Sequence, residues 1–177
     1  MDATRQNEYI AANIHVLNQG AALARSLTDL TYCNHAFGGR SAIGVHLRHV
    51  LDFYEKFLDG LSAGRIDYDR RSRDKRVEQD RALACERCDE FALRLRALTE
   101  LDAEVWVKVD VGDNAEDPAA YSRSTVRREL QALIGHTIHH YALITYLLHA
   151  QGQKPEAEFG VAPSTLDYWQ RQQLGSA

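Results

Sequence analysis

The amino-acid sequence predicts an all-α protein, built as a four-helix bundle. Four segments repeat their apolar residues every three or four positions, which is the spacing of one face of a helix. The 177 residues include only three prolines and 11 glycines, so long helices meet few interruptions. Helices that are each apolar on one side bury those sides most simply against one another, and four of similar length form a bundle.

Two helices are predicted in the first third of the chain. The first runs from about Thr4 to Leu30, and the glycine pair Gly38–Gly39 marks the break after it. The second begins after Ser41, whose hydroxyl is typical of an N-cap, and extends to about Leu61. The apolar stripe of this second helix consists of Ile43, Leu47, Val50, Tyr54, Phe57 and Leu61.

The central part of the chain contains a charged connection, a third helix and one extended segment. The connection, Arg65–Arg76, consists mostly of charged residues and is therefore predicted to be exposed. The third helix is predicted from about Val77 to Leu101. Valines at every second position from Val105 to Val111 then indicate a single short strand, and Gly112–Asn114 turns the chain.

The last part of the chain predicts a fourth helix and a short tail. The helix runs from about Thr125 to Gln151, with Ser124 as its N-cap and Gly152 at its end. A helical turn follows near Leu166–Gln170. The length suits one domain, which we expect to span residues 1–177.

The composition argues against several classes of protein. The chain carries 21 basic and 25 acidic side chains and a formal net charge of −4, which argues against a dedicated nucleic-acid binder. No apolar run approaches the roughly 18 residues of a membrane-spanning helix. The polar segment Met1–Tyr9 does not resemble a secretory signal peptide. Three cysteines are too few for a disulfide framework, so we expect a cytoplasmic protein that binds neither nucleic acid nor membranes.

Histidines carry the strongest chemical signal in the sequence. His136 and His140 lie four residues apart on the fourth helix, so both point the same way, within its apolar stripe. Buried imidazoles need a partner, and a divalent metal ion shared with a facing helix is one solution. The second helix offers His46 and His49 for that purpose. The alternative is that His136 and His140 are core histidines that bond to backbone or hydroxyl groups.

Two further patterns have simpler explanations. Cys85 and Cys88 form a lone Cys-x-x-Cys within a helical segment, which favours small core residues over a redox or zinc site. The basic run Arg70–Arg76 favours a solvated helix start, with anion binding as the alternative.

The arrangement of histidines resembles that of a known family. A histidine in the middle of the second helix, a His-x-x-x-His pair on the fourth and an all-helical chain of this length resemble the DinB-like (DNA-damage-inducible) family of metal-binding four-helix bundles. Segments of similar local sequence are Gly44–Asp52, Asp67–Arg71, Arg128–Leu130 and Phe159–Thr165. The resemblance implies an up-down-down-up bundle that pairs into homodimers, with a divalent ion, nickel or zinc, held by three histidines.

Carried over by position from this family, the implied metal ligands are His49, His136 and His140. The family pattern has a histidine followed by two apolar residues and an aspartate, which His49 matches with Val50–Asp52. The helix face defined by the apolar residues favours His46 instead. His46 therefore remains the alternative ligand, or a partner that orients the ligands.

Characterised relatives in this family include thiol-dependent transferases and isomerases that use bacillithiol, mycothiol or glutathione. The resemblance therefore implies a metal-dependent thiol S-transferase whose partners are a small-molecule thiol and an electrophile. Many members continue after the second histidine with Arg-Gly-Gln, whereas this chain has Tyr141–Leu143, so their thiol-binding residues do not carry over. The alternatives are a metal-dependent hydrolase, a non-catalytic metal-binding module of a stress response, and a structural protein without a metal.

Overall fold

The structure is a computed structural model, and it describes residues 3–35, 41–109 and 117–174. The helices in these ranges are α1 (Ala3–Ser26), α2 (Asp29–Cys33), α3 (Ile43–Gly60), α4 (Arg76–Gln79), α5 (Arg81–Arg96), α6 (Val126–Ala150) and α7 (Pro163–Leu174). The strands are β1 (Arg65–Asp67), β2 (Glu104–Lys108) and β3 (Ser122–Thr125). The prediction of a mainly helical protein is confirmed. The predicted break at Gly38–Gly39, the turn at Gly112–Asn114 and the strand end at Val111 lie outside the described residues.

The four long helices share one apolar core. α1 packs against α5 and α6, and α3 packs against the same two helices. Leu17 of α1, Leu47 of α3 and Leu95 of α5 are buried in this core. Each such side chain stabilises the fold by about 1.5–3 kcal/mol because its apolar surface leaves water. α3 and α6 are thereby held face to face.

Helix boundaries differ from the prediction where polar side chains intervene. α1 ends early, at Ser26, because Thr28 starts α2 and accepts a hydrogen bond from the Thr31 amide at 3.2 Å. The third predicted helix is two helices, α4 and α5. They are separated by Asp80, which is extended and caps α5 with its carboxylate. α5 also stops short of the predicted end at Leu101.

The two serines predicted as N-caps each lie one residue before the true cap. Ala42 precedes α3 and makes no side-chain cap, whereas Ser41 bonds through its hydroxyl to the ring of His46 at 2.8 Å. Thr125 caps α6, which leaves Ser124 in strand β3. The prediction of Ser41 as a helix cap is therefore wrong, and its hydroxyl serves a side chain instead.

A three-stranded sheet stands where the sequence predicts one extended element, so that prediction is wrong. β2 is the central strand, with β1 parallel to it and β3 antiparallel. β1 lies in the Arg65–Arg76 connection, whose predicted exposure is wrong for Ile66, a fully buried residue. A strand of three residues is too short to show a period of two, because only one of its side chains points inward.

The C-terminal segment packs back onto α6. Phe159 stacks on Tyr141 with ring centroids 4.5 Å apart. Gly160 has φ +70°, and a Cβ there would lie 2.8 Å from the Tyr141 Cβ, so the close approach needs glycine. α7 is longer than the predicted turn at Leu166–Gln170. None of the helices in the described ranges is long and apolar enough to cross a membrane.

Candidate metal centre

Two pairs of histidines meet across the interface between α3 and α6. His49 of α3 lies opposite His136 of α6, with their Nε2 atoms 3.1 Å apart. His46 lies opposite His140, with their Nδ1 atoms 2.9 Å apart. The pairs form because residues three and four apart share a helix face, and the two faces are packed together. Both histidines that the sequence offered on the second helix therefore reach the candidate site.

Three of these histidines converge on one point. His49, His136 and His140 each offer a ring nitrogen, and these three nitrogens all lie within 4.8 Å of one another. Nitrogen ligands about 2.1 Å from one tetrahedral ion lie roughly 3.4 Å from each other. Small side-chain movements would therefore bring the three rings onto a single divalent ion.

His46 stands beside this triad and orients one member of it. Its Nε2 bonds the hydroxyl of Ser41 at 2.8 Å, and its Nδ1 meets the Nδ1 of His140. If His140 donates from Nδ1, its Nε2 keeps a free lone pair, which is the form that a metal ligand needs. The two histidines of α3 therefore differ in position. His49 belongs to the triad, whereas His46 lies between Ser41 and His140.

The triad lies at the edge of the core and not at its centre. The sequence places His136 and His140 within the apolar stripe of the fourth helix, but both side chains are half-buried. The fully buried positions on this part of α6 are Thr137 and Tyr141. A half-buried position leaves one side of each ring open to the solvent, from which a ligand can approach.

An aromatic wall lines the triad. The Phe53 ring stacks on the His136 ring at a centroid distance of 4.0 Å and contacts the His49 ring at 5.1 Å. Tyr68 stacks on Phe53 at 4.9 Å, and the Arg71 guanidinium carbon also lies 4.9 Å from the centroid of Phe53. No motif in the sequence singles out Phe53, although its spacing of four residues from His49 places it on the same helix face.

Burial keeps the triad neutral. Desolvation, followed by the charge of a neighbouring histidine, lowers the pKa of His49 to about 4 and that of His140 to about 3. Desolvation, followed by the charge of Arg71, lowers the pKa of His136 to about 4. Desolvation also lowers the pKa of His46. All four rings are therefore neutral near pH 7, and only a neutral imidazole binds a metal ion.

The donor set fits a transition metal. The triad offers imidazole nitrogens alone, and such a set suits zinc or nickel better than the oxygen-seeking magnesium or calcium. The Nδ1 atom of His136 is buried and finds no hydrogen-bond partner in the described part of the chain. This Nδ1 is not the ring nitrogen that meets His49, which is Nε2.

The cysteine motif lies away from this site, in the core beside α1. Cys85 donates from its sulfur to the carbonyl of Ala21 at 3.4 Å, and Cys88 is buried. Burial raises the pKa of the Cys88 thiol to about 12, so it stays protonated and is a poor nucleophile or metal ligand. These contacts agree with the interpretation of Cys85 and Cys88 as small core residues.

The basic run Arg70–Arg76 is divided by the fold. Arg70 and Arg73 are exposed, as the sequence predicts. Arg76 pairs with the neighbouring Asp74 at 2.6 Å on the surface. Arg71 is the exception, because it turns toward the aromatic wall of the candidate site. The sequence contained no signal that singled out Arg71 within this run.

A protein family and a curated protein share parts of this sequence. The sequence pattern of a family described as the DinB superfamily matches residues 17–144, a range that includes the whole triad. A curated protein named FK506-binding protein 5, from Rhizopus delemar, is 31% identical over 108 residues, which make up 60% of this chain. The aligned segment spans 28% of the length of that relative, so most of that protein has no counterpart here.

Proposed function

The chain belongs to the DinB superfamily, and from this premise we propose that it binds one divalent ion through His49, His136 and His140. The observation that carries the proposal is the convergence of three neutral imidazoles from α3 and α6 within 4.8 Å. Zinc and nickel are the ions that such a nitrogen donor set favours. Three protein ligands leave coordination positions open, as in catalytic sites and unlike closed structural sites.

We propose that the activity is a thiol S-transfer to a small electrophile. A divalent ion at this site would stabilise the thiolate form of a bound thiol, which is the nucleophilic form. The residues of the chain hold the ion and define the space around it. Phe53 is half-buried beside the triad and is backed by the buried ring of Tyr68, so it offers an apolar surface against which the carbon skeleton of a ligand can pack.

The proposed arrangement of the four long helices is up-down-down-up. Arg81 bonds the Ala24 carbonyl, which joins the start of α5 to the end of α1. Arg94 bonds Asp59, which joins the ends of α5 and α3. Tyr141 bonds the Val16 carbonyl, which joins the middle of α6 to the middle of α1. In this arrangement α3 and α6 are antiparallel, which agrees with His46 facing His140 while His49 faces His136.

The experiment that tests this function is a conjugation assay on tag-free protein loaded with zinc or nickel. We expect glutathione or a comparable thiol to react with 1-chloro-2,4-dinitrobenzene faster than in the absence of protein, and a strong chelator to remove the acceleration. His136→Ala should abolish it, whereas His149→Ala, at an exposed position on the same helix, should not. An acceleration that survives the chelator, or none in the loaded protein, would contradict the proposal.

A further inference from the structure

We propose that Arg71 makes this centre selective for thiols that carry a carboxylate, whose anionic group binds the guanidinium while the sulfur faces the triad. The inference rests on the proposed function, because it concerns the ligand of the same site. It adds a specificity-determining residue that lies outside the metal ligands.

The guanidinium of Arg71 is fixed beside the triad. Its Nη1 donates a hydrogen bond to the backbone carbonyl of Tyr68 at 2.8 Å. Its carbon lies 4.9 Å from the centroid of Phe53, and the Phe53 ring in turn stacks on His136. A cation over an aromatic face is held in place by the negative face of the ring. Arg71 is therefore a preorganised cation separated from His136 by one aromatic ring.

The charge of Arg71 is not matched by an anion. The Nε atom of Arg71 is buried and has no hydrogen-bond partner among the described residues, and no carboxylate there forms an ion pair with it. Arg48 of the same region is different, since it pairs with Asp52 and with Glu78, each at 2.5 Å. An arginine with one carbonyl partner retains donors for an incoming anion, whereas a doubly paired arginine does not.

Arg71 and a bound divalent ion would both place positive charge beside the Phe53 ring and the triad. The Arg71 guanidinium lies against the Phe53 ring, which stacks on the His136 ring and contacts the His49 ring. A divalent ion would add two further positive charges, and the triad contains no carboxylate to offset them. An anionic ligand compensates these charges, while a neutral ligand leaves them uncompensated in a half-buried site.

A carboxylate fits this single guanidinium better than a phosphate. The guanidinium matches a carboxylate with two parallel N–H donors, and one such pair neutralises one charge. Phosphate carries more charge and is normally surrounded by several donors, such as a second arginine or a helix N-terminus. The neighbouring Arg48 is already engaged by Asp52 and Glu78, whereas Arg71 keeps an unpaired donor for the ligand.

The test uses full-length protein loaded with cobalt(II), in which thiolate binding produces a charge-transfer absorption. Two thiols of similar size are titrated: 3-mercaptopropionate, which is anionic, and 3-mercaptopropanamide, which is neutral. We expect the wild type to bind the anionic thiol at least about tenfold more tightly, as one partly buried charge-assisted contact allows. Arg71→Gln should make the two dissociation constants equal, and Arg71→Lys should keep part of the preference. Arg70→Gln, an exposed neighbour, should leave the preference unchanged.

The outcomes separate this inference from the proposed function. Equal dissociation constants for the two thiols in the wild type, or a preference that survives Arg71→Gln, would overturn the role of Arg71 alone. Cobalt that binds without any thiolate absorption from either thiol would overturn the thiol chemistry, and the inference with it. Cobalt content and the thermal midpoint of each variant are measured first, so that a lost preference reflects the missing guanidinium and not a lost site.

Discussion

At the level of single residues, the burial that keeps each imidazole of the triad neutral also prepares it to bind a metal ion. His46 has a different task, because it contacts the Nδ1 of His140 and is anchored by Ser41. In the sequence, the helix face favours His46, whereas the family resemblance selects His49 as the ligand and leaves His46 as the alternative. In the structure, His46 faces His140 and His49 faces His136. These pairings depend on how α3 is rotated about its axis relative to α6, which the sequence pattern does not specify.

The first prediction separates the two histidines of α3. His49→Ala should remove a ligand and empty the site, whereas His46→Phe should weaken metal affinity by about 10–100-fold, the usual effect of losing a group that orients a ligand. His149→Ala is the control. Competition against a chromophoric zinc indicator measures each affinity. Loss of metal in His46→Phe together with full retention in His49→Ala would show that His46 is the ligand.

The second prediction concerns the pH dependence of the metal-free protein. In the folded state the pKa of His49 and His136 is about 4, whereas an unfolded histidine titrates near about 6.5. Between these values the unfolded chain binds more protons, so stability is full above pH 6.5 and falls as the pH decreases toward 4. Urea unfolding from pH 8 to pH 5 measures this slope. His136→Phe should reduce the slope by up to one proton, and an unchanged slope would contradict the lowered pKa.

At the level of secondary-structure elements, close backbone contacts decide features that the apolar pattern does not contain. α3 approaches α4 so closely that a Cβ on Gly44 would clash with the backbone carbonyl of Glu78 and would lie 2.6 Å from the ring of Tyr32. Asp80, which separates α4 from α5, lies within a segment that keeps helical spacing on both sides. Because apolar residues recur every three or four positions on both sides of Asp80, the sequence predicts one continuous helix across the break between α4 and α5.

The third prediction tests the contact between α3 and α4. Gly44→Ala should destabilise the protein by about 1–3 kcal/mol, because the neighbour is backbone and cannot move aside cheaply. Gly135→Ala is the matched control, since nothing lies within 4 Å of a Cβ at that exposed position of α6. It should stabilise the helix by about 0.5–1 kcal/mol. Urea unfolding compares the two, and equal effects would contradict the close packing.

At the level of the whole molecule, the sequence predicts the helical core well and the sheet poorly. The four apolar helix faces predicted from the sequence correspond to the sides of α1, α3, α5 and α6 that are buried in the core. The sheet was missed because β1 and β3 pair through their backbones, and only the valines of β2 alternate over enough residues to be recognised. The position of Arg71 beside Phe53 could not be predicted from the sequence either, because it depends on the path of the chain after β1.

The interface between α3 and α6 is proposed to hold a metal ion, and the metal content of the purified protein measures whether it does. Tag-free wild-type protein and His136→Ala are exposed to equimolar zinc or nickel at pH 7.5, passed through a desalting column, and analysed by inductively coupled plasma mass spectrometry. We expect about one ion per chain in the wild type and almost none in the folded His136→Ala protein, because two imidazoles hold a divalent ion far less well than three. Equal occupancy in both proteins, or none in the wild type, would contradict this expectation and would leave His136 and His140 as ordinary polar residues at the edge of the core.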